Sequence, residues 1–298
     1  MPSTLERLGF SPTDRVVIAH ADDLGMCHAA NTAFADIVAA GVVGCGSVMV
    51  PCPWFRHLAD FARSHPQADV GVHLTLTSEW EPYRWGPVST RDAASGLLDQ
   101  QGYLWPDIGP LHAHMDAEAA IVEMKAQVQQ ALEAGIDVTH IDTHMGAIAH
   151  PALIGAYVDL GREYRLPVML PRVDAAALRE VGLSPAEAEV AAAGMSALAD
   201  AGDLLPVDHL LMPHMPPGED IPAQYRRVLE GLQPGLTHLI YHPSVATDES
   251  RAILGEARLR QRSGDWRTFS DPDLAEYLAD AGVVSIGYRE LREVMREK

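Results

Sequence analysis

Four places in the chain set carboxylates and imidazoles where an apolar run ends. RVVIAH (15–20) leads straight into Ala21, Asp22, Asp23, Leu24 and Gly25. DVGV is followed by His73, VTHID (138–142) carries His140 and Asp142 with His144 just beyond, and LTHLIYH ends on His242 before Pro243. Two imidazoles and one carboxylate are a standard ligand set for a catalytic divalent ion that keeps positions open for water and substrate. Each feature also has an ordinary explanation. Paired aspartates usually cap a helix or sit in a solvated turn. A lone histidine is more often a satisfied core or surface group, and with 14 histidines chance pairings arise. The chemical reading rests on four such features arriving at four separate strand ends, and on the cost of burying unpaired charge.

The elements that must position these groups alternate. Apolar runs at 15–20, 45–50, 69–76, 138–142, 166–170, 208–212, 237–242 and 283–287 read as strands, several apolar through most of their length as expected of parallel strands covered on both faces. Between them, Asp116 to Ala134 reads as a helix capped by Asp116 and stopped at Gly135, Ala30 to Ala40 as one stopped at Gly41, and 184–202 as an Ala-rich helix. The expected fold class is α/β, a single-domain irregular (β/α) TIM-like barrel over 1–298, with a doubly wound open sheet as second choice. In a barrel the carboxyl ends of all strands gather on one face, which brings distant residues together. Two segments break the rhythm: 78–115, with three tryptophans and several prolines, and 243–270, polar and rich in Arg. Both read as insertions that shape a substrate site.

Bulk properties narrow the partners. With 22 basic and 41 acidic residues the formal charge is -19, which disfavours phosphate backbones and anionic lipid. Neither nucleic acid nor membrane is expected as a partner; a small molecule is. The uncharged stretch 37–55 contains three glycines and two prolines and reads as a helix end, a turn and a buried strand rather than a membrane span. Cys27, Cys45 and Cys52 form no CxxC pair and none stands at a strand's carboxyl end beside a histidine, so free thiols in a reducing cytoplasm are expected and no thiol nucleophile. The N-terminal MPSTLERLGFSPTD has no secretory pattern. The motifs GxSxG, GxGxxG and GxxxxGK[ST] are absent.

HADDLGMCHAAN (20–31), GVHLTLT (71–77), THIDTH (139–144) and YHPS (241–244), together with LPVMLPR (166–172), resemble the YdjC-like carbohydrate deacetylases, the family that includes chitooligosaccharide deacetylase. That resemblance implies an irregular TIM-like barrel that removes an N-acetyl group from an amino sugar or small glycan. It implies one divalent ion held by Asp23, His73 and His144, with Asp22 as catalytic base and His242 as the acid. Zn and Mg are both associated with such sites, and the mixed N/O donor set favours Zn or a similar transition ion. His20 stands where the family often has Asn, Met145-Gly146-Ala147 where many members have further histidines, and Pro243 is followed by Ser rather than Gly or Ala. These departures leave the three ligands intact and the acyl substrate open.

In that scheme His140 and Asp142 orient ligands, and Trp80, Trp85 and Trp105 either stack on a sugar or pack the loop. Two rivals remain: a barrel metal hydrolase acting on another amide or an ester, and a non-catalytic carbohydrate-binding barrel. A homodimer is compatible with the sequence, which leaves the oligomeric state open.

Overall fold

The computed structural model describes residues 2–41, 44–172, 175–180, 185–199, 203–216 and 218–297. Seven parallel strands form its sheet: β1 (Arg15–Leu24), β2 (Cys45–Val48), β3 (Asp69–Leu74), β4 (Ile141–Thr143), β5 (His209–Leu211), β6 (Gly235–Tyr241) and β7 (Val283–Ser285). The order is β4-β3-β2-β1-β6-β5, and β7 pairs with the first residues of β1. Isolated parallel bridges Ile141↔Val168 and Pro171↔Val207 link β4 round to the residues just before β5. The result is a parallel-stranded α/β fold, barrel-like in its curvature.

The apolar run 166–170 predicts a full strand. Only scattered bonds form there, because Pro167 and Pro171 have no N–H to give a ladder. What survives are the bonds the prolines permit: Ile141 N–H to the Pro167 carbonyl, Met169 N–H to the Ile141 carbonyl, and Val207 N–H to the Leu170 carbonyl.

The helices follow their caps. In Ala117–Glu133 the Asp116 side chain accepts from Ala119 N–H at 2.8 Å, and Gly135 just beyond has φ 84°. His28–Ala40 ends on Gly41 in the left-handed region. Pro185–Ala199 matches most of the Ala-rich stretch, whose positions 184 and 200–202 lie outside the described residues. The uncharged stretch contains the end of His28–Ala40 and β2, and among the described residues no helix is long and apolar enough to cross a membrane.

Segment 243–270 corrects the expectation of a polar insertion. Most of it is one helix, Asp248–Phe269, interrupted at Gly255 (φ 71°). It escaped the periodicity reading because Ser250, Arg262, Ser263, Asp265 and Thr268 share its buried face with Ile253, Leu254, Leu259 and Phe269 and break the apolar stripe.

Side chains alternate across β1, and this alternation sorts the core. Val17, Ala19 and Ala21 belong to the large outer cluster with the helices, including Phe34, Leu58 and Met124. Val16 and Ile18 face inward with Leu236, Ile286 and Tyr288. His20 and Asp22 continue that inner face, so the apolar interior gives way to polar groups towards the carboxyl ends of the strands.

Candidate metal centre

Adjacent residues of a regular strand point to opposite faces, yet Asp22 and Asp23 both approach one imidazole. His73 Nε2 is 3.8 Å from Asp22 Oδ2 and 3.6 Å from Asp23 Oδ1. The register of β1 against β2 shifts between Ala21 and Leu24, and Asp23 sits at φ 63°, so a local bulge turns both carboxylates to the same side. Gly25 follows at φ 79°, where a Cβ would lie 2.8 Å from Val48 Cγ2; only glycine fits this turn.

Three groups are each left with one free donor atom. His73 Nδ1 donates to Asp142 Oδ1 at 2.9 Å, and Ser47 Oγ holds the other Asp142 oxygen at 2.9 Å; His73 Nε2 is therefore the free nitrogen. His144 Nε2 donates to Glu79 Oε2 at 3.0 Å, leaving Nδ1 at 3.1 Å from Asp23 Oδ1. Asp23 Oδ2 accepts from Arg262 Nη2 at 2.6 Å, while Asp23 Oδ1 is buried without a hydrogen bond. The free atoms stand 3.1 and 3.6 Å apart, close to the roughly 3.3 Å expected between donors sharing one tetrahedral ion with bonds of about 2.0–2.1 Å. Asp23, His73 and His144 form one of the buried clusters able to hold a metal ion.

The electrostatics agree with this donor set. Burial opposes ionisation of Asp23, but Arg262 and His144 outweigh it and hold its carboxyl well below the usual range. Burial pulls His144 down, yet Glu79 and Asp23 together push it up to about 10. His73 is likewise raised, Asp142 and Asp22 overcoming burial. Imidazoles that gather protons in this way lie in a field a dication satisfies better, since metal binding displaces those protons. Asp22 is raised by burial, against the pull of His73.

All five site residues singled out in the sequence stand at this end of the sheet. His242 is half-buried just beyond β6; its backbone N–H donates to Asp265 Oδ2 at 3.0 Å, and burial lowers its pKa. Asp142 orients His73 as expected. His140 touches none of the three ligands and meets His20 instead. Two contributors were missed. Glu79 lay in a segment without periodicity, and Arg262 in the stretch read as an insertion. Trp85 and Trp105 are packing groups, donating to the carbonyls of Thr77 and Gly96, whereas Trp80 lies under the guanidinium groups of Arg258 and Arg262.

The family model for YdjC-like protein matches residues 16–280, and the chain belongs to that family. It is 33% identical over 296 residues to a carbohydrate deacetylase of Thermus thermophilus, with 98% of each chain covered. A carbohydrate deacetylase of Brevibacillus brevis is 27% identical, covering 92% of this chain and 99% of its own. In fold the chain resembles an Enterococcus faecalis protein described as a candidate for cellobiose-phosphate cleavage, with TM-score 0.73, 21% identity, and 93% and 99% of the two chains covered.

Proposed function

We propose that this chain is a metal-dependent carbohydrate deacetylase, one domain over 1–298, that hydrolyses the N-acetyl group of an amino sugar or small glycan in the cytoplasm. The observation that carries the reading is Asp23 Oδ1, buried and unpartnered between His73 Nε2 and His144 Nδ1, with a second carboxylate, Asp22, turned to the same place. The full-length relatives named carbohydrate deacetylases supply the substrate class.

Asp23, His73 and His144 would hold one divalent ion, Zn or a similar transition ion on ligand chemistry. When bound, it supplies a Lewis acid that activates water and polarises the acyl carbonyl. Asp22, held at one oxygen by His20 and open at the other, accepts the proton of the attacking water. His242 donates a proton to the leaving nitrogen. Its lowered pKa makes the neutral ring the major form near pH 7, so the donating fraction grows towards acid. Arg262 keeps the Asp23 carboxylate oriented, and Glu79 and Asp142 fix which nitrogen each histidine presents.

The test is acetate release from a panel of N-acetylated sugars and short glycans, with Zn, Co, Mn or Mg added to metal-stripped protein. Acetate from at least one sugar supports the reading. Cleavage of an unrelated amide or ester with no acetate from any sugar would move the chain to another hydrolase class. Metal or sugar binding without turnover of anything would make it a binding protein.

A further inference from the structure

Below Asp22 the inner face carries a line of hydrogen-bonded groups outside the Asp23, His73 and His144 cluster. Asp22 Oδ1 is 2.7 Å from His20 Nδ1, and His20 Nε2 is 2.7 Å from His140 Nε2. His140 Nδ1 is 2.9 Å from Thr139 Oγ1, whose hydroxyl donates to Asp69 Oδ1. The second Asp69 oxygen accepts from Arg289 N–H at 2.7 Å. All five residues are buried. Their seats are shaped for them: a Cβ at Gly71 would lie 2.5 Å from the His140 ring, and one at Gly287 would collide with Asp69 Oδ2. Tyr288 stacks on His140 with ring centroids 4.1 Å apart.

Cys45 lies close enough for His20, Cys45 and His140 to resemble a second metal cluster. The nitrogens say otherwise. At 2.7 Å the two Nε2 atoms are hydrogen-bonded to each other, nearer than the roughly 3.3 Å of two donors on one tetrahedral ion.

Counting protons gives the line a direction. From Asp22 to Asp69 there are four hydrogen bonds, and each needs one proton. Acting as a base, Asp22 is a carboxylate and can only accept, so His20 Nδ1 donates to it. A neutral His20 then has no proton on Nε2, which accepts from His140 Nε2. His20 is left with one proton, on Nδ1, facing Asp22. Burial keeps His20 neutral, pushing it down to about 3.

We propose that His140, seated by Thr139 and Asp69, is a positioning residue that acts on Asp22 through His20. By donating to His20 Nε2 it commits the His20 proton to Nδ1 and ties Asp22 Oδ1 back into the sheet. Asp22 Oδ2, 3.8 Å from His73 Nε2, is left turned towards the ligand cluster. The inference rests on Asp22 as the base, and makes His20 with His140 its holder.

Two measurements test it on the full chain. In 15N spectra of histidine-labelled wild-type protein, His20, assigned by its loss in His20→Asn, should show a protonated Nδ1 and a bare Nε2; a proton on Nε2 overturns the proposal. This readout needs no turnover, so it stands even if no sugar is deacetylated, a result that would defeat the proposed function instead. The second compares two substitutions. His20→Asn places an amide nitrogen near the Nδ1 position and can still donate to Asp22, whereas His20→Gln reaches His140 but not Asp22. kcat should stay within about threefold of wild type for Asn and fall about tenfold or more for Gln, with KM and metal content unchanged in both. Equal losses in the two folded, metal-loaded variants would reduce His20 to a packing role.

Discussion

The ligand cluster at the carboxyl ends of the strands and the layer of histidines beneath it are made of the same residue types, and their hydrogen bonding separates them. In the upper group Asp23 Oδ1 has no hydrogen-bond partner, while His73 and His144 each give one nitrogen to a carboxylate and keep the other free. In the lower group both Asp69 oxygens are bonded, as are both nitrogens of His20 and of His140. Residue type does not mark the site. Unspent lone pairs converge in the binding layer, whereas the line from Asp22 to Asp69 is saturated; His238, beside His20, bonds Tyr288 through Nδ1 and has no partner at Nε2.

The largest effect expected from breaking this division is at Asp22, the contact between the layers. Asp22→Asn keeps size and hydrogen bonding but removes the proton acceptor, so acetate release should fall by ~10² or more while bound metal, measured by elemental analysis, stays. Loss of metal would make Asp22 a ligand and move it into the upper group. Asp142→Asn comes next. It weakens the hold on His73 Nδ1, and zinc affinity by competition with a chelator should drop by roughly 10–100-fold.

The two layers should also respond to pH with opposite signs in metal-free protein. His20 and His238 are pushed down to about 3 by burial, so the unfolded chain binds more protons below the ordinary histidine value of about 6.5. Stability from the lower layer is complete above that value and is lost as pH falls towards 3. His144, raised to about 10, contributes stability below pH 6.5 that is lost as pH rises towards 10. Tm measured from pH 4 to 10 should therefore fall on both sides, and zinc should rescue the alkaline side selectively. The smallest effect is expected from Cys45→Ala in the lower layer: about 1 kcal/mol of stability from a small cavity, with zinc affinity unchanged.

Much of the inner face was legible because strands alternate. His20 and Asp22, Asp69 and His73 with Gly71 between them, and His140, Asp142 and His144 are spaced by two, and these polar residues, with one glycine, trace one face of the sheet within apolar runs. The spacing could not show that Asp23 joins Asp22 on that face, since this depends on a bulge and a left-handed residue. It could not supply Glu79, whose segment is held by long-range contacts such as the Val88 and Ser89 N–H groups on the Glu123 carboxylate rather than by any period. Nor could it supply Arg262, because a helix that buries at least as many polar as apolar side chains has no continuous apolar stripe to read. The expected strand at 166–170 failed for a local reason, the two prolines.

Zinc titration of the metal-stripped protein by calorimetry, run beside His73→Ala and His144→Ala, tests the central claim most directly. One ion per wild-type chain is predicted, with binding lost or weakened by orders of magnitude in both folded variants. Wild-type stoichiometry and affinity in either variant would contradict the assignment of Asp23, His73 and His144 as the metal centre.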